Sequence, residues 1–214
     1  MELLQQLLAR PDANMLIDRA NEILQAEHVK REQFYNDITP NDKAEFIQGE
    51  VIFHSPVKNR HNRVTLRIAK ILDTIVAVND LGQVGIEKLL ISLTRNDYEP
   101  DVCFFSKVKS DAFTDDQMQF PAPDLVVEVL SESTEKRDRG VKFDDYALHG
   151  VNEYWIVDPD NETVEQYLLD GTTYKLHIKT QDGHITSQAI PNLRVLATAF
   201  FNDSDNLSEI KRLL

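Results

Sequence analysis

One cysteine in 214 residues leaves no partner for an internal disulfide, so this fold must hold without one. That residue, Cys103, sits inside the apolar run Val102-Cys103-Phe104-Phe105 and reads as a core thiol, not a nucleophile. Glycine is also scarce, at seven residues, and forms no phosphate-cradling loop, no dinucleotide fingerprint and no G-x-S-x-G elbow. The six histidines lack zinc-ligand spacing, and a lone cysteine excludes a thiolate cluster. Positive charge is short as well. Lys and Arg total 23 against 36 Asp and Glu, a net charge of -13, which argues against tight, purely electrostatic binding to nucleic acid. A local basic patch, or a metal that neutralises an acidic site, stays compatible with it. No apolar run is long enough to span a bilayer, and the first residues do not form a signal-peptide pattern, so no membrane partner is expected. With the single cysteine, this makes a reducing cytoplasm the expected location.

What is present is enough apolar residue, 42%, to build a proper core, in a length that fits one domain with an extra element or two. The most informative stretch is Pro123-Asp124-Leu125-Val126-Val127-Glu128-Val129-Leu130-Ser131. Its β-branched bulk, bounded by prolines and by Ser131 to Thr134, predicts a short buried strand. One carboxylate, Glu128, interrupts it. Either the strand is an edge whose Glu128 reaches water, or the carboxylate is hydrogen-bonded, paired or bound to a metal.

In chain order, residues 1–34 read as helical, with Leu3, Leu4, Leu7 and Leu8 on one face and the pattern resuming after Pro11 at Met15, Leu16, Ala20, Ile23 and Leu24. Asp12 or Asn14 is placed to cap the second helix. The segment either docks on the body or forms an oligomer contact. Thr39-Pro40-Asn41-Asp42 predicts a capped turn with Pro40 at the first helical position. Residues 45–54 predict a hairpin turning near Gly49. From Arg60 to Val78 the spacing is helical, with Arg60, Arg63, Arg67 and Lys70 off the apolar stripe, as a solvated face or a surface for phosphates. Gly82 to Gly85 predicts a break, residues 87–93 and 98–105 strands, and residues 107–122 a loop or lid. A helix is expected over 134–149, stopped by Gly150. Strands are expected over 151–158 and near 163–169, 173–179 and 184–190, with a short closing helix over 208–214.

Two strands carry acids inside apolar runs, Asp101 and Glu128. Two carboxylates in one site repel each other unless one is protonated or a cation lies between them. Mg²⁺ takes oxygen ligands, keeps several waters and suits such a pair with a substrate phosphate. On the following helix Asp138, Lys142 and Tyr146 recur at i, i+4 spacing and share a face. A lysine there stabilises the charge that develops when water attacks a phosphodiester; alternatively Lys142 only pairs with Asp138 and Tyr146 only packs. His61 opens the basic helix, as a group that orients a phosphate or as a surface or capping residue.

Glu99-Pro100-Asp101-Val102, then Pro123 to Ser131, then Ser133-Thr134, Asp138, Lys142, Tyr146, Gly150-Val151 and Glu153-Tyr154-Trp155-Ile156-Val157-Asp158-Pro159 together resemble the Uma family of candidate endonucleases. That family looks like a branch of the PD-(D/E)XK, or restriction-endonuclease-like, superfamily. The resemblance takes in Glu45 to Glu50 and His61 and covers roughly residues 35–201, with the Pro123-to-Asp158 block its most specific part. It implies an α/β fold: a restriction-endonuclease-like mixed sheet flanked by helices, with an N-terminal helical extension over 1–34 and a 35–214 domain that ends in β-hairpins. It implies Asp101 as the motif aspartate and Glu128 as the acid of E-x-K, both holding Mg²⁺, with Mn²⁺ as a substitute. The sequence departs from the pattern at Leu130, where the family pattern has lysine; Lys142 is the replacement. Glu50 or His61 would assist. The function implied is metal-dependent hydrolysis of DNA. Separately, the leucines of residues 1–34 offer more apolar surface than a short extension needs, so a homodimer is expected. The competing readings are a catalytically silent nucleic-acid-binding or regulatory module, and a protein-interaction module.

Overall fold

The computed structural model describes residues 2–39 and 41–214. The backbone forms two compact units: one holds the residues up to His54 together with Thr94–Asn96, the other Ser55–Leu93 and Asp97–Leu214.

In the first unit, Pro11 separates helix α1 (Glu2–Leu8) from helix α2 (Ala13–Asp37), as a residue without an N–H must. Asp12 stands at the N-cap but gives α2 no side-chain cap; its carboxylate takes the fork of Arg10 at 2.9 Å instead. Strands β1 (Ala44–Ile47) and β2 (Glu50–Phe53) form the expected hairpin. Gln48 and Gly49 both have positive φ, 51° and 85°, the backbone a two-residue hairpin turn requires. Phe34 of α2 packs on Phe46 of β1, and Arg95 forks onto Glu27 at 2.8 Å. In the turn at 39–42, Asp42 accepts from both the N–H and the hydroxyl of Thr39. The expected role of Pro40 lies outside the described residues.

The second unit opens with helix α3 (Asn59–Val78) and continues through strands β3 (Gly82–Ile86), β4 (Leu90–Ser92), β5 (Asp97–Tyr98) and β6 (Val102–Ser106). Helix α4 (Lys107–Ser110), strands β7 (Gln119–Phe120) and β8 (Leu125–Val129), and helices α5 (Glu135–Asp138) and α6 (Val141–Leu148) follow. Strands β9 (Glu153–Asp158), β10 (Thr163–Asp170), β11 (Thr173–Thr180), β12 (His184–Thr186) and β13 (Arg194–Leu196), then helix α7 (Asp203–Leu213), complete it. The main sheet has the order β11-β10-β9-β8-β6-β3, with β8 and β9 parallel and the other pairs antiparallel. Alternation sends Val127 and Val129 to a core that also contains Ile68, Leu72 and Ile75 of α3 and Trp155 of β9. It sends Glu128 to the other face. β8 lies between β9 and β6 and Glu128 is buried, so the reading of an edge strand whose Glu128 reaches water is corrected.

Five further expectations change. The break predicted at Gly82–Gly85 is strand β3, because those glycines let it approach β6: a Cβ on Gly85 would lie 2.9 Å from Cys103 Sγ. The strand predicted over 98–105 is interrupted at Glu99-Pro100-Asp101, so β5 and β6 are separate. The helix predicted over 134–149 breaks at Arg139-Gly140 into α5 and α6, and Gly150 stops it with φ 75° as expected. The 107–122 stretch carries α4 and β7, and the strand expected over 184–190 is only β12.

Candidate active site

Asp101 lies one residue before β6. The β6–β8 register ends with Val102 opposite Val127, so Asp101 and Glu128 each lie one residue past that last pair. The Val129 N–H donates to Asp101 Oδ2 at 2.8 Å, tying the two strand ends together. From the N-terminal turn of α3, His61 Nε2 lies 3.2 Å from the same oxygen. His61 is buried beside Asp101, which corrects the surface reading.

Lys142 reaches Glu128 from α6. Its Nζ donates to Glu128 Oε1 at 3.1 Å and lies 3.4 Å from Asp138 Oδ1. All three side chains are almost fully buried, with Lys142 only 2% exposed. Asp138 and Lys142 still meet across the α5–α6 break, and Tyr154 donates its hydroxyl to the Asp138 carbonyl at 2.9 Å. Lys142 therefore does more than pair with Asp138. Its ammonium also lies 5.8 Å from the centroid of the Tyr98 ring, within cation–π range. Tyr98 donates to Asp145 Oδ2 at 2.8 Å and packs on Tyr146. Sequence reasoning missed Tyr98 and Asp145. The available signal was their place beside residues already singled out: Tyr98 precedes Glu99-Pro100-Asp101, and Asp145 lies one position before Tyr146.

Three buried carboxylates, those of Asp101, Glu128 and Asp138, thus meet one lysine and one histidine. Negative charge exceeds the permanent positive charge, which favours a bound cation or retained protons. The field of Glu128 is felt at Cys103, whose thiol is pushed up to about 12 by burial first and by Glu128 in addition. Among the described residues, no three His, Cys, Asp or Glu side chains group as a ready-made metal cage. A hard cation that keeps most of its waters needs only one or two carboxylates, and the all-oxygen pair Asp101 and Glu128 fits that requirement.

Glu50 is exposed on β2 of the first unit. The arginines of α3 are tied up by acids: Arg60 pairs with Asp160, and Arg63 and Arg67 pair with Asp203. No helix of the described residues is long and apolar enough to cross a membrane.

Comparison with known proteins gives three findings. The Uma2 family model, described as "Putative restriction endonuclease", matches residues 31–199. The protein sll1609 of Synechocystis sp., described as uncharacterized, is 29% identical over 162 residues, covering 72% of this chain and 84% of its own length. The crystal structure of a "putative nuclease belonging to DUF820" from Anabaena variabilis superposes with a TM-score of 0.68 at 17% identity, over 84% of this chain and 97% of the other. At that identity the likeness is one of fold: the mixed sheet flanked by helices is restriction-endonuclease-like.

Proposed function

Because this chain belongs to the Uma2 family, whose description reads "Putative restriction endonuclease", we propose that it is a metal-dependent endonuclease that hydrolyses DNA phosphodiester bonds. In this reading Asp101 and Glu128 hold Mg²⁺, or Mn²⁺ in its place. The ion would supply Lewis-acid activation of water and phosphate. Lys142 stabilises the negative charge that builds on the phosphate in the transition state, a task for which a buried, preoriented ammonium is suited. His61 fixes the rotamer of Asp101, and Asp138 holds Lys142 beside Glu128. Glu50 receives no role in this proposal.

The observation that supports the proposal is the Lys142–Glu128 contact at 3.1 Å, next to the residue whose N–H binds Asp101. Lys142 comes from α6 and not from two positions beyond Glu128, yet its ammonium reaches the carboxylate. The test is incubation of the pure protein with supercoiled plasmid, single-stranded DNA and RNA, each with Mg²⁺, Mn²⁺ or EDTA. Wild type should nick or cut DNA with either metal and not with EDTA, and Glu128→Gln should lose activity by on the order of 10²-fold or more. Absence of cleavage with both metals would remove the enzymatic reading and leave a silent binding module on the same fold.

A further inference from the structure

Helix α2 is 25 residues long and buries only Ala13 and Phe34. Helices of globular proteins take most of their stability from a packed apolar face; α2 packs its C-terminal part through Phe34 on Phe46, while its apolar residues from Met15 to Leu24 stay largely exposed. Met15, Leu16, Ile23 and Leu24 are all at least 40% exposed. The middle of the helix reads Leu16-Ile17-Asp18-Arg19-Ala20-Asn21-Glu22-Ile23-Leu24. This run is a chemical palindrome about Ala20: Leu16 mirrors Leu24, Ile17 mirrors Ile23, Asp18 mirrors Glu22, and the two polar residues beside Ala20 mirror each other. At 3.6 residues per turn, positions 16, 17, 20, 23 and 24 lie on one stripe with Ala20 at its centre, and the acids lie off it. An interface between identical subunits related by a two-fold axis must be complementary to itself, with residue i facing j and j facing i. A palindromic stripe meets that condition for two antiparallel helices, and an alanine at the centre lets the backbones approach.

We propose that this stripe docks on the same stripe of a second copy of the chain, antiparallel, with the two-fold axis passing beside Ala20. Leu16 then packs on Leu24 of the second copy, Ile17 on its Ile23, and Ala20 on its Ala20. A partner of other composition has no reason to require the mirror symmetry. The inference is independent of the nuclease reading.

The test is light scattering on wild type, Ala20→Glu, Ala20→Lys and an equimolar mixture of the two variants, at about 50 μM, where interfaces of roughly micromolar Kd are populated. Wild type should be a dimer. Each variant alone should be a monomer, because it sets like charges against each other on the axis, and the mixture should recover a one-to-one heterodimer. Ala20 is exposed, so circular dichroism should show unchanged helicity. A wild-type monomer, a variant that dimerises alone as wild type does, or a mixture that stays monomeric would each overturn the proposal. Should either charged variant lose its helical signal, Ala20→Cys decides. A crosslinked dimer on oxidation supports the axis at Ala20 and its absence overturns it; Cys103 is buried and does not compete.

Discussion

The ammonium of Lys142 lies 3.1 Å from the Glu128 carboxylate and 3.4 Å from that of Asp138, one cation held between two buried acids on different elements. Isolated pairs of this kind add little net stability, because each charge has been taken out of water, but removing one member leaves the others uncompensated.

Lys142→Met should therefore destabilise the protein by about 3–5 kcal/mol near neutral pH. The two remaining carboxylates repel each other, which raises their folded-state proton affinity above the unfolded value. The folded variant then binds more protons than its unfolded chain, so its stability falls as pH rises and recovers on acidification. Urea midpoints of wild type and variant at about pH 8 and about pH 5 check this. A loss below about 1 kcal/mol at both values would mean that Lys142 is not the counter-charge. Cleavage by this variant should be measured where it is still folded.

Asp101 accepts a hydrogen bond from Val129, so its charge and its acceptor oxygen can be separated. Asp101→Asn keeps an oxygen for that N–H and should leave the metal-free protein near wild-type stability. Asp101→Ala strands a buried donor and should cost about 1–3 kcal/mol. Mn²⁺ at a hundredfold excess over its Kd should stabilise wild type by about 2.7 kcal/mol, and both variants should lose most of that gain. Melting curves with Mn²⁺ and with EDTA decide it: an identical Mn²⁺ shift in all three proteins would sink the metal assignment.

The elements legible in the sequence were those with strong local signals. The stripe of α3, the β-branched run of β8, the Gln48-Gly49 turn and the Gly150 stop all reappear. Gly82 and Gly85 misled because local preference marks glycine as a breaker, whereas here the missing Cβ is what admits β3 against β6. The single helix predicted over 134–149 failed for the complementary reason. A tertiary hydrogen bond from Tyr154 and the ion pairs of Arg139 hold a bend at Gly140 that no periodicity announces. The candidate site was readable in its residue types, since carboxylates in apolar strands stand out. The contacts of His61 with Asp101 and of Lys142 with Glu128 depend on strand order, which the sequence does not encode locally.

Glu153, fully buried on β9, was read only as part of the family resemblance. Its carboxylate accepts five hydrogen bonds, from Trp155, Gln166, Ser187 and the backbone N–H groups of Gln188 and Ala189. Glu153→Ala strands several buried donors together and should cost more than about 3 kcal/mol. Hydrogen exchange should show the amides of 187–190 losing protection well before those of β8. Unchanged exchange in that segment would mean that Glu153 does not hold it.

Arg139 stands at the bend between the residue that holds Lys142 and Lys142 itself, and its guanidinium forks onto Glu165 of β10 at 2.7 and 3.1 Å. Burial alone would raise the Glu165 carboxyl, but hydrogen bonds from Arg139, Lys179 and Tyr167 more than reverse this and lower it from 4.5 to about 2. In that window the unfolded chain binds the proton and the folded chain does not. The contribution of the pair is thus fully present above the unfolded value and is lost as pH falls toward the folded one. Glu165→Gln retains an acceptor and discards the charge. The stability difference between wild type and Glu165→Gln should stay constant from about pH 8 to about pH 6 and shrink below about pH 4.5. Because Arg139 carries the α5–α6 bend, the same acidification should release the amides of residues 139–142 in wild type, while in the variant they exchange freely at neutral pH already. Denaturant midpoints across the range, with hydrogen exchange at its two ends, test both parts. A difference that holds constant down to about pH 3 would show that the Glu165 charge does not hold the bend.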